Sequence, residues 1–173
     1  MESNKHLFNV SPLIKLTLLC LYSALLIPLP FLPQSPAWMA VALVLGAILL
    51  WGALGEQVVV TDQGIELRYP WWISTWLRSG WVLPWEEIAS LKPRTTGQGG
   101  IVYYLLDRSG NSYLLPMRMA GFSRFVGLLQ ERTAIDTRDV RPLAQPWMYF
   151  ILLGFSLCLL LFDGFTILGL RHG

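Results

Sequence analysis

The side chains that most often carry chemistry are few here, and they are scattered. The two histidines, His6 and His172, stand at opposite ends of the chain. They offer no metal-ligand spacing. The two cysteines, Cys20 and Cys158, lie inside apolar runs without a CxxC pattern and read as small apolar residues of helices. The stretch between residues 56 and 141 contains neither His nor Cys, so no Ser/His/Asp or Cys/His set can be assembled in it. Glu86 and Glu87 are adjacent in a segment, Trp85 to Leu91, that reads as a strand. Neighbours on a strand face opposite ways and cannot work as a carboxylate pair. Gly97-Gln98-Gly99-Gly100 lacks the lysine of a phosphate loop and reads as a flexible loop. The sequence thus implies no enzyme, no cofactor and no metal. Its net charge of +2 implies no nucleic-acid partner.

What remains is a set of cations and tryptophans. Arg68, Arg78, Lys92, Arg94, Arg108, Arg118 and Arg124 are spread along the middle of the chain. They read as a solvated surface facing an anionic leaflet, where each near-surface cation contributes ~1 kcal/mol. The sharper alternative is a phosphate-headgroup pocket, with Lys92 and Arg94 as candidate contacts. Trp71, Trp72, Trp76, Trp81 and Trp85 crowd into fifteen residues. Trp72 and Trp76, like Ile73 and Leu77, are four apart and can share one face of a short helix. These tryptophans have three readings: domain core (Trp81 and Trp85 foremost), interfacial anchors, or an exposed docking patch. Trp71, Trp72, Ile73, Trp76, Leu77 and Arg78 are the candidate membrane-interface or partner-binding residues.

The elements that must position them begin in a bilayer. Leu16 to Gly55 holds no charged side chain, and a second uncharged run extends from Pro142 to Phe162. Apolar residues make up 54% and charged residues 14% of the chain, well under the ~25% charge usual in soluble domains. Pro28, Pro30, Pro33 and Pro36 split the first run, since a helix interior does not tolerate them. The reading is an N-terminal segment, 1–36, with a first transmembrane helix at about 12–30 and a short link. A second transmembrane helix covers 37–55, and residues 142–173 hold a third at about 146–168. The second, at nineteen residues, measures ~28 Å. No cleavage pattern precedes Pro28, so the first apolar stretch reads as a retained helix. Lys5, Lys15 and the ten Lys or Arg from Arg68 to Arg141 put the N-terminus and the central segment in the cytoplasm, and the C-terminus outside. Asp163 falls near the outer end of the third span. It is either a helix-end residue or an intramembrane polar contact to another subunit.

Residues 56–141 read as strands closed by a helix. Val58 to Thr61 is β-branched, Asp62-Gln63-Gly64 is a turn, and Ile65, Leu67 and Tyr69 alternate with Glu66 and Arg68. Lys92 to Gly100 reads as a polar loop. Ile101–Leu106 and Ser112–Pro116 flank Asp107-Arg108-Ser109-Gly110-Asn111, a hairpin signal. Phe122, Phe125, Val126 and Leu129 recur at helical spacing within Gly121–Ala134. The expected fold is an α+β membrane protein: three transmembrane helices plus a small antiparallel β-sandwich or partial barrel capped by a C-terminal helix. The strand at Val58 leaves the second span with almost no linker, and Ile65–Tyr69 returns, so the Pro70–Gly80 loop is expected against the headgroups.

Val60-Thr61-Asp62-Gln63-Gly64-Ile65, followed by Pro84-Trp85-Glu86-Glu87-Ile88, resembles the membrane-anchored bacterial PH-like domains over roughly residues 37–135. There is a fainter likeness to the photosystem I assembly factor family of cyanobacteria and chloroplasts. That family also has a two-helix N-terminal hairpin, a spacing close to Gly64 through Ile88, and a Pro-x-Arg stretch like Pro116-Met117-Arg118. This sequence departs from it in its third apolar span. Neither resemblance supplies catalytic residues; both imply binding. The expectation is a non-catalytic integral membrane protein of a bacterial plasma membrane or thylakoid. Its PH-like domain would dock on an integral membrane protein complex, photosynthetic in the fainter likeness, to assist assembly or stability. The alternative is an anionic-lipid-binding module whose partners are membrane lipids.

Overall fold

The computed structural model describes residues 5–32, 35–97, 101–140 and 146–172. The chain forms two compact units. One comprises Met1–Ser11 with Gly55–Ala144, the other Pro12–Leu54 with Gln145–Gly173.

The first unit is built on two antiparallel sheets. Four strands, β1 (His6–Asn9), β2 (Gln57–Val60), β3 (Gly64–Arg68) and β4 (Trp81–Pro84), pair in sequence order. Three more, β5 (Ile88–Thr95), β6 (Ile101–Asp107) and β7 (Ser112–Leu114), form the second sheet. β3 alternates as its sequence dictates: Ile65 and Leu67 are buried, Glu66 and Arg68 face out and pair with each other. The 61–64 turn is drawn tight by the Thr61 amide donating to the Gly64 carbonyl at 2.9 Å. A Cβ on Gly64 would stand 2.4 Å from the Leu83 carbonyl oxygen, which is why glycine occupies the close crossing of β3 and β4. The 107–111 hairpin turns on Gly110, at φ 88°, while the Asp107 carboxylate accepts from the Asn111 amide and side chain, both at 2.8 Å.

Helix α4 (Phe122–Thr133) closes the core. Phe122, Phe125, Val126 and Leu129 are buried on one face, and Gly121 (φ 76°) and Ala134 (φ 55°) bound it in left-handed conformation. The core joins both sheets and this helix through Phe8, Val58, Ile65, Leu83, Leu105 and Phe125.

The second unit contains the apolar helices α1 (Pro12–Leu26), α2 (Trp38–Ala53) and α5 (Pro146–His172). A 3₁₀ turn, Leu29–Phe31, follows α1. Tyr22 of α1 donates to the Leu43 carbonyl of α2 at 2.8 Å and lies across Gly46, where a Cβ would meet its hydroxyl at 2.2 Å. The Lys15 ammonium stands 6.0 Å from the Trp51 ring. α1 and α5 meet near their starts, where the Thr17 hydroxyl lies 3.4 Å from the Tyr149 carbonyl. Thr17 and Ser156 are fully buried and satisfy their hydroxyls on the carbonyls of Leu13 and Leu152, one turn back.

Several expectations need correction. Among the described residues two helices, not three, are long and apolar enough to cross a membrane: Pro12–Phe31, of 20 residues, and Trp147–Gly169, of 23. α2 has 16 residues, ~24 Å; it starts at Trp38 after Ala37, and its last rung is the Leu54 amide on the Leu50 carbonyl, before the chain leaves helical geometry at Leu54. The N-terminal residues are not a mere lead into a helix. His6–Asn9 is an edge strand, with Phe8 and Val10 buried and Leu7 exposed. Its partner β2 follows the whole α1–α2 pair in the sequence, so the domain takes in residues before 56. The segment from Trp85 to Glu87 is a 3₁₀ turn, and the strand expected there starts at Ile88. Glu86 and Glu87 therefore sit on a turn rather than on alternating strand faces. That strand continues through Lys92 to Thr95, where a loop was expected. Trp81–Pro84 is a strand that was not expected at all. Among the described residues the two sheets do not close into a barrel. Residues 33–34, 98–100 and 141–145, within the expected link, glycine loop and domain boundary, lie outside the described residues.

Candidate functional site

Pairing register decides where the tryptophan loop emerges. Asn9, Gln57 and Arg68 form the last row of the four-stranded sheet at one end. β1 leaves from that row toward Pro12, and β2 enters it after only three residues, 54–56, beyond α2. The 69–80 loop springs from the same row.

Inside the loop, helix α3 (Trp71–Ser74) is a single turn wound on Pro70. The turn continues about Ile73, whose carbonyl accepts from the amides of Trp76, Leu77 and Arg78 at 3.2, 2.9 and 3.3 Å. The Ile73 side chain is fully buried. Trp71 is 82% exposed, Trp76 86% and Leu77 59%. Trp72 is half-buried and Arg78 exposed. The expected pairs are not buried alike: Ile73 is buried while Leu77 is exposed, and Trp72 is half-buried while Trp76 is exposed. Register separates the five tryptophans. Trp81, paired with Leu67, and Trp85, whose indole donates to the Thr61 carbonyl at 2.9 Å, pack against the core. Trp71 and Trp76 do not.

Lys92 and Arg94 share the outer face of the second sheet. Lys92 lies opposite Tyr104 and Arg94 opposite Val102, with the Arg94 guanidinium 5.7 Å from the Tyr104 ring. The cross-strand row runs on from Tyr104 to Leu114 at the β7 edge. Asp163 stands apart in α5. Its Oδ2 is buried without a hydrogen-bond partner among the described residues, while its backbone carbonyl accepts from the Thr166 hydroxyl at 2.8 Å.

Sequence reasoning missed a polar chain beside the loop. The Tyr69 hydroxyl donates to Glu56 Oε2 at 3.0 Å. Burial, then the Glu56 charge, pushes that hydroxyl above its ordinary range, with Arg78 opposing. Nearby, Trp81 and Tyr113 pack with ring centroids 5.3 Å apart. Glu56 directly follows the long uncharged run, and that was the one signal available for it. Among the described residues, no group of three or more His, Cys, Asp or Glu could hold a metal ion.

Comparison with known proteins agrees with this architecture. Residues 3–133 match the family model described as bacterial PH domain, a range that takes in both β1 and α4. The chain is 50% identical over 166 residues to the uncharacterized protein slr0269 of Synechocystis sp., which covers 91% of this chain and 83% of that relative. With more than half its length matched and a relative this similar, the chain belongs to the bacterial PH domain family.

Proposed function

We propose that this protein is a membrane-anchored, non-catalytic docking module whose Trp71–Arg78 loop engages an integral membrane protein complex at the bilayer surface and assists its assembly or stability. One observation carries the reading: Trp71 and Trp76 are more than four-fifths exposed on a turn pinned by the buried Ile73. Paired exposed tryptophans on a held backbone are unfavourable in water, and they are typical anchors of binding surfaces.

Connectivity supports the membrane setting. β1 and β2 pair, so both ends of the α1–α2 pair return to one side of any bilayer the pair enters. That agrees with the charge distribution placing the N-terminus and the domain in the cytoplasm. Lys15, Trp51 and Trp147 lie at helix ends next to the domain in sequence, and Trp38 at the opposite end of α2, as interfacial residues would. α2 adds to the anchor as the shorter arm of a hairpin, with α5 crossing and its C-terminus outside. The bacterial plasma membrane or the thylakoid is the setting proposed. The faint likeness to a photosystem I assembly factor makes a photosynthetic complex the first partner to look for.

The test is affinity purification of the full chain in mild detergent, beside Trp71→Ala/Trp76→Ala. A co-purifying membrane complex lost in the double variant is expected. Recovery of the wild type as a lone monomer would overturn the reading. The exposed Lys92–Arg94 face motivates a second reading, contact with anionic lipid. Vesicle binding that tracks the anionic lipid content and weakens in Lys92→Gln/Arg94→Gln would favour it.

A further inference from the structure

Asp163 is the one acidic side chain inside either apolar helix long enough to cross a bilayer. It stands ~24 Å along α5 from Trp147 and ~9 Å short of Gly169, at 1.5 Å per residue. The Cβ of a helical residue tilts toward the helix N-terminus, so this short side chain leans back into the apolar part of the span and away from the nearer water. Asp163 lies two turns beyond the fully buried Ser156 and shares its face, whereas Leu161, Phe162 and Phe165 on the other faces are exposed. The residue is half-covered, and its Oδ2 is buried without a hydrogen-bond partner among the described residues. Leu159, one turn back on the same side, is 43% exposed, so the carboxyl is open to approach from that flank.

The helical unit offers this carboxyl little. The Thr166 hydroxyl donates to the Asp163 backbone carbonyl, that of Tyr22 to Leu43 and that of Ser35 to Pro30. The link after α1 is rich in proline, which has no N–H to give, and its Phe31 and Leu32 amides turn back on Pro28 and Leu29. The chain's own cations lie at other depths. Lys15 belongs to the start of α1, the end where α1 and α5 meet, and Arg171 is ~12 Å farther along α5. A second copy in the same orientation repeats both mismatches. A carboxylate in hydrocarbon is unfavourable until a cation and its hydrogen bonds compensate it.

We propose that Asp163 is a docking point for a transmembrane helix of a partner protein, which places an arginine or lysine opposite it in the outer half of the bilayer. The proposal rests on the membrane-anchored reading above and adds a second contact to it, on residues separate from the Trp71–Arg78 loop.

The experiment has two arms. In the first, the full chain, Asp163→Asn and Asp163→Leu are purified in mild detergent and the co-purifying complex is quantified. Asparagine keeps the shape and removes the charge. Recovery should fall at least about tenfold in Asp163→Asn and further in Asp163→Leu. Each variant alone should melt no lower than the wild type, because no contact within the chain is lost. Undiminished recovery, or loss accompanied by a lower melting temperature, would overturn the proposal. In the second arm, benzoylphenylalanine is placed at Leu159 in intact membranes and the photo-cross-linked peptide is sequenced. An apolar segment of another protein with an arginine or lysine inside it is expected. No cross-link, a segment without a cation, or a second copy of this chain would overturn the proposal. A cation-bearing cross-link kept in Trp71→Ala/Trp76→Ala, or with a wild type that purifies alone, would uphold this contact while the docking loop fails.

Discussion

Phe8 precedes the first apolar helix, in a stretch that a sequence reading would leave without a role. The structure makes it a core residue, 6% exposed, with its ring meeting Phe125 edge-to-face at 5.7 Å. Phe8→Ala should therefore cost ~3–5 kcal/mol, the usual range for emptying an aromatic core site. Of this, roughly 0.5–1.5 kcal/mol belongs to the ring pair itself. Domains hold only about 5–15 kcal/mol in total, so the variant should be marginal. The neighbouring Leu7 is 49% exposed and points the other way, so Leu7→Ala should change stability by less than about 0.5 kcal/mol. Pulse proteolysis of the full chain across a urea series in mild detergent reads both. At an m-value of about 2 kcal/mol/M, the Phe8→Ala midpoint should fall by ~1.5–2.5 M while Leu7→Ala stays put. Equal midpoints for the two variants would show that residues 6–9 do not alternate as a strand, and the split-domain argument would fall with them.

Four further outcomes follow from the geometry. Gly64→Ala forces a Cβ against the Leu83 and Pro84 backbone and should destabilise the domain by ~1–3 kcal/mol, read by the same proteolysis assay. Tyr22→Phe should weaken helix-pair packing by ~0.6–1.7 kcal/mol. Gly46→Ala, by displacing the same hydroxyl, should add little on top of it in a double-mutant cycle. Hydrogen bonding from the Asn111 side chain, ahead of opposing burial, holds the Asp107 carboxyl below its ordinary 3.8. A carboxyl depressed in the folded state stabilises above that value and loses its contribution as pH falls through the folded pKa. The unfolding midpoint should therefore drop below about pH 4, and less steeply in Asn111→Ala. Finally, Asn9 lies directly opposite Gln57, so replacing residues 12–53 by a turn of about four residues and ending the chain ahead of α5 should give a soluble, folded domain with dispersed amide NMR signals. A fragment starting at Gly55 lacks β1 and should not. Equal behaviour of the two would refute the role given to β1.

What was legible in the sequence is what depends on neighbours in the chain. β3 announced itself by Ile65 and Leu67 alternating with Glu66 and Arg68, the 107–111 turn by its Asp, Ser, Gly and Asn, and α4 by its apolar spacing. What was not legible depends on distant partners. β1 is four residues long, abuts the helix start at Pro12 and finds its mate 48 positions later, so no local period marks it. β4 was hidden because Trp81 and Pro84 read as members of a tryptophan cluster and a turn. Only the pairing of Leu67 with Trp81 shows the strand, and that same register divides the buried tryptophans from the exposed ones. Helix lengths were misjudged where ends shift by a few residues, enough to take α2 from a nominal span to 16 residues. A groove between β4 and β7 gathers Glu56, Arg78 and Ser112, which no sequence spacing connects.

The placement of the helix pair between β1 and β2 has an energetic consequence. Joining two strands through 47 intervening residues as a flexible loop would cost ~3.4 kcal/mol from the logarithmic term alone, against ~1.2 for a four-residue turn. A preformed α1–α2 hairpin removes much of that difference, because Tyr22 on Leu43 and Lys15 by Trp51 already hold its two arms together. The edge strand is thus stabilised by the packing of helices it does not belong to. Loosening the hairpin should loosen β1 first, exposing the β2 edge with Val58 and Val60. Hydrogen exchange at the amides linking His6–Asn9 to Gln57–Val60 should accordingly quicken in Tyr22→Phe. Exchange in β6, which pairs only with β5 and β7, should stay unchanged.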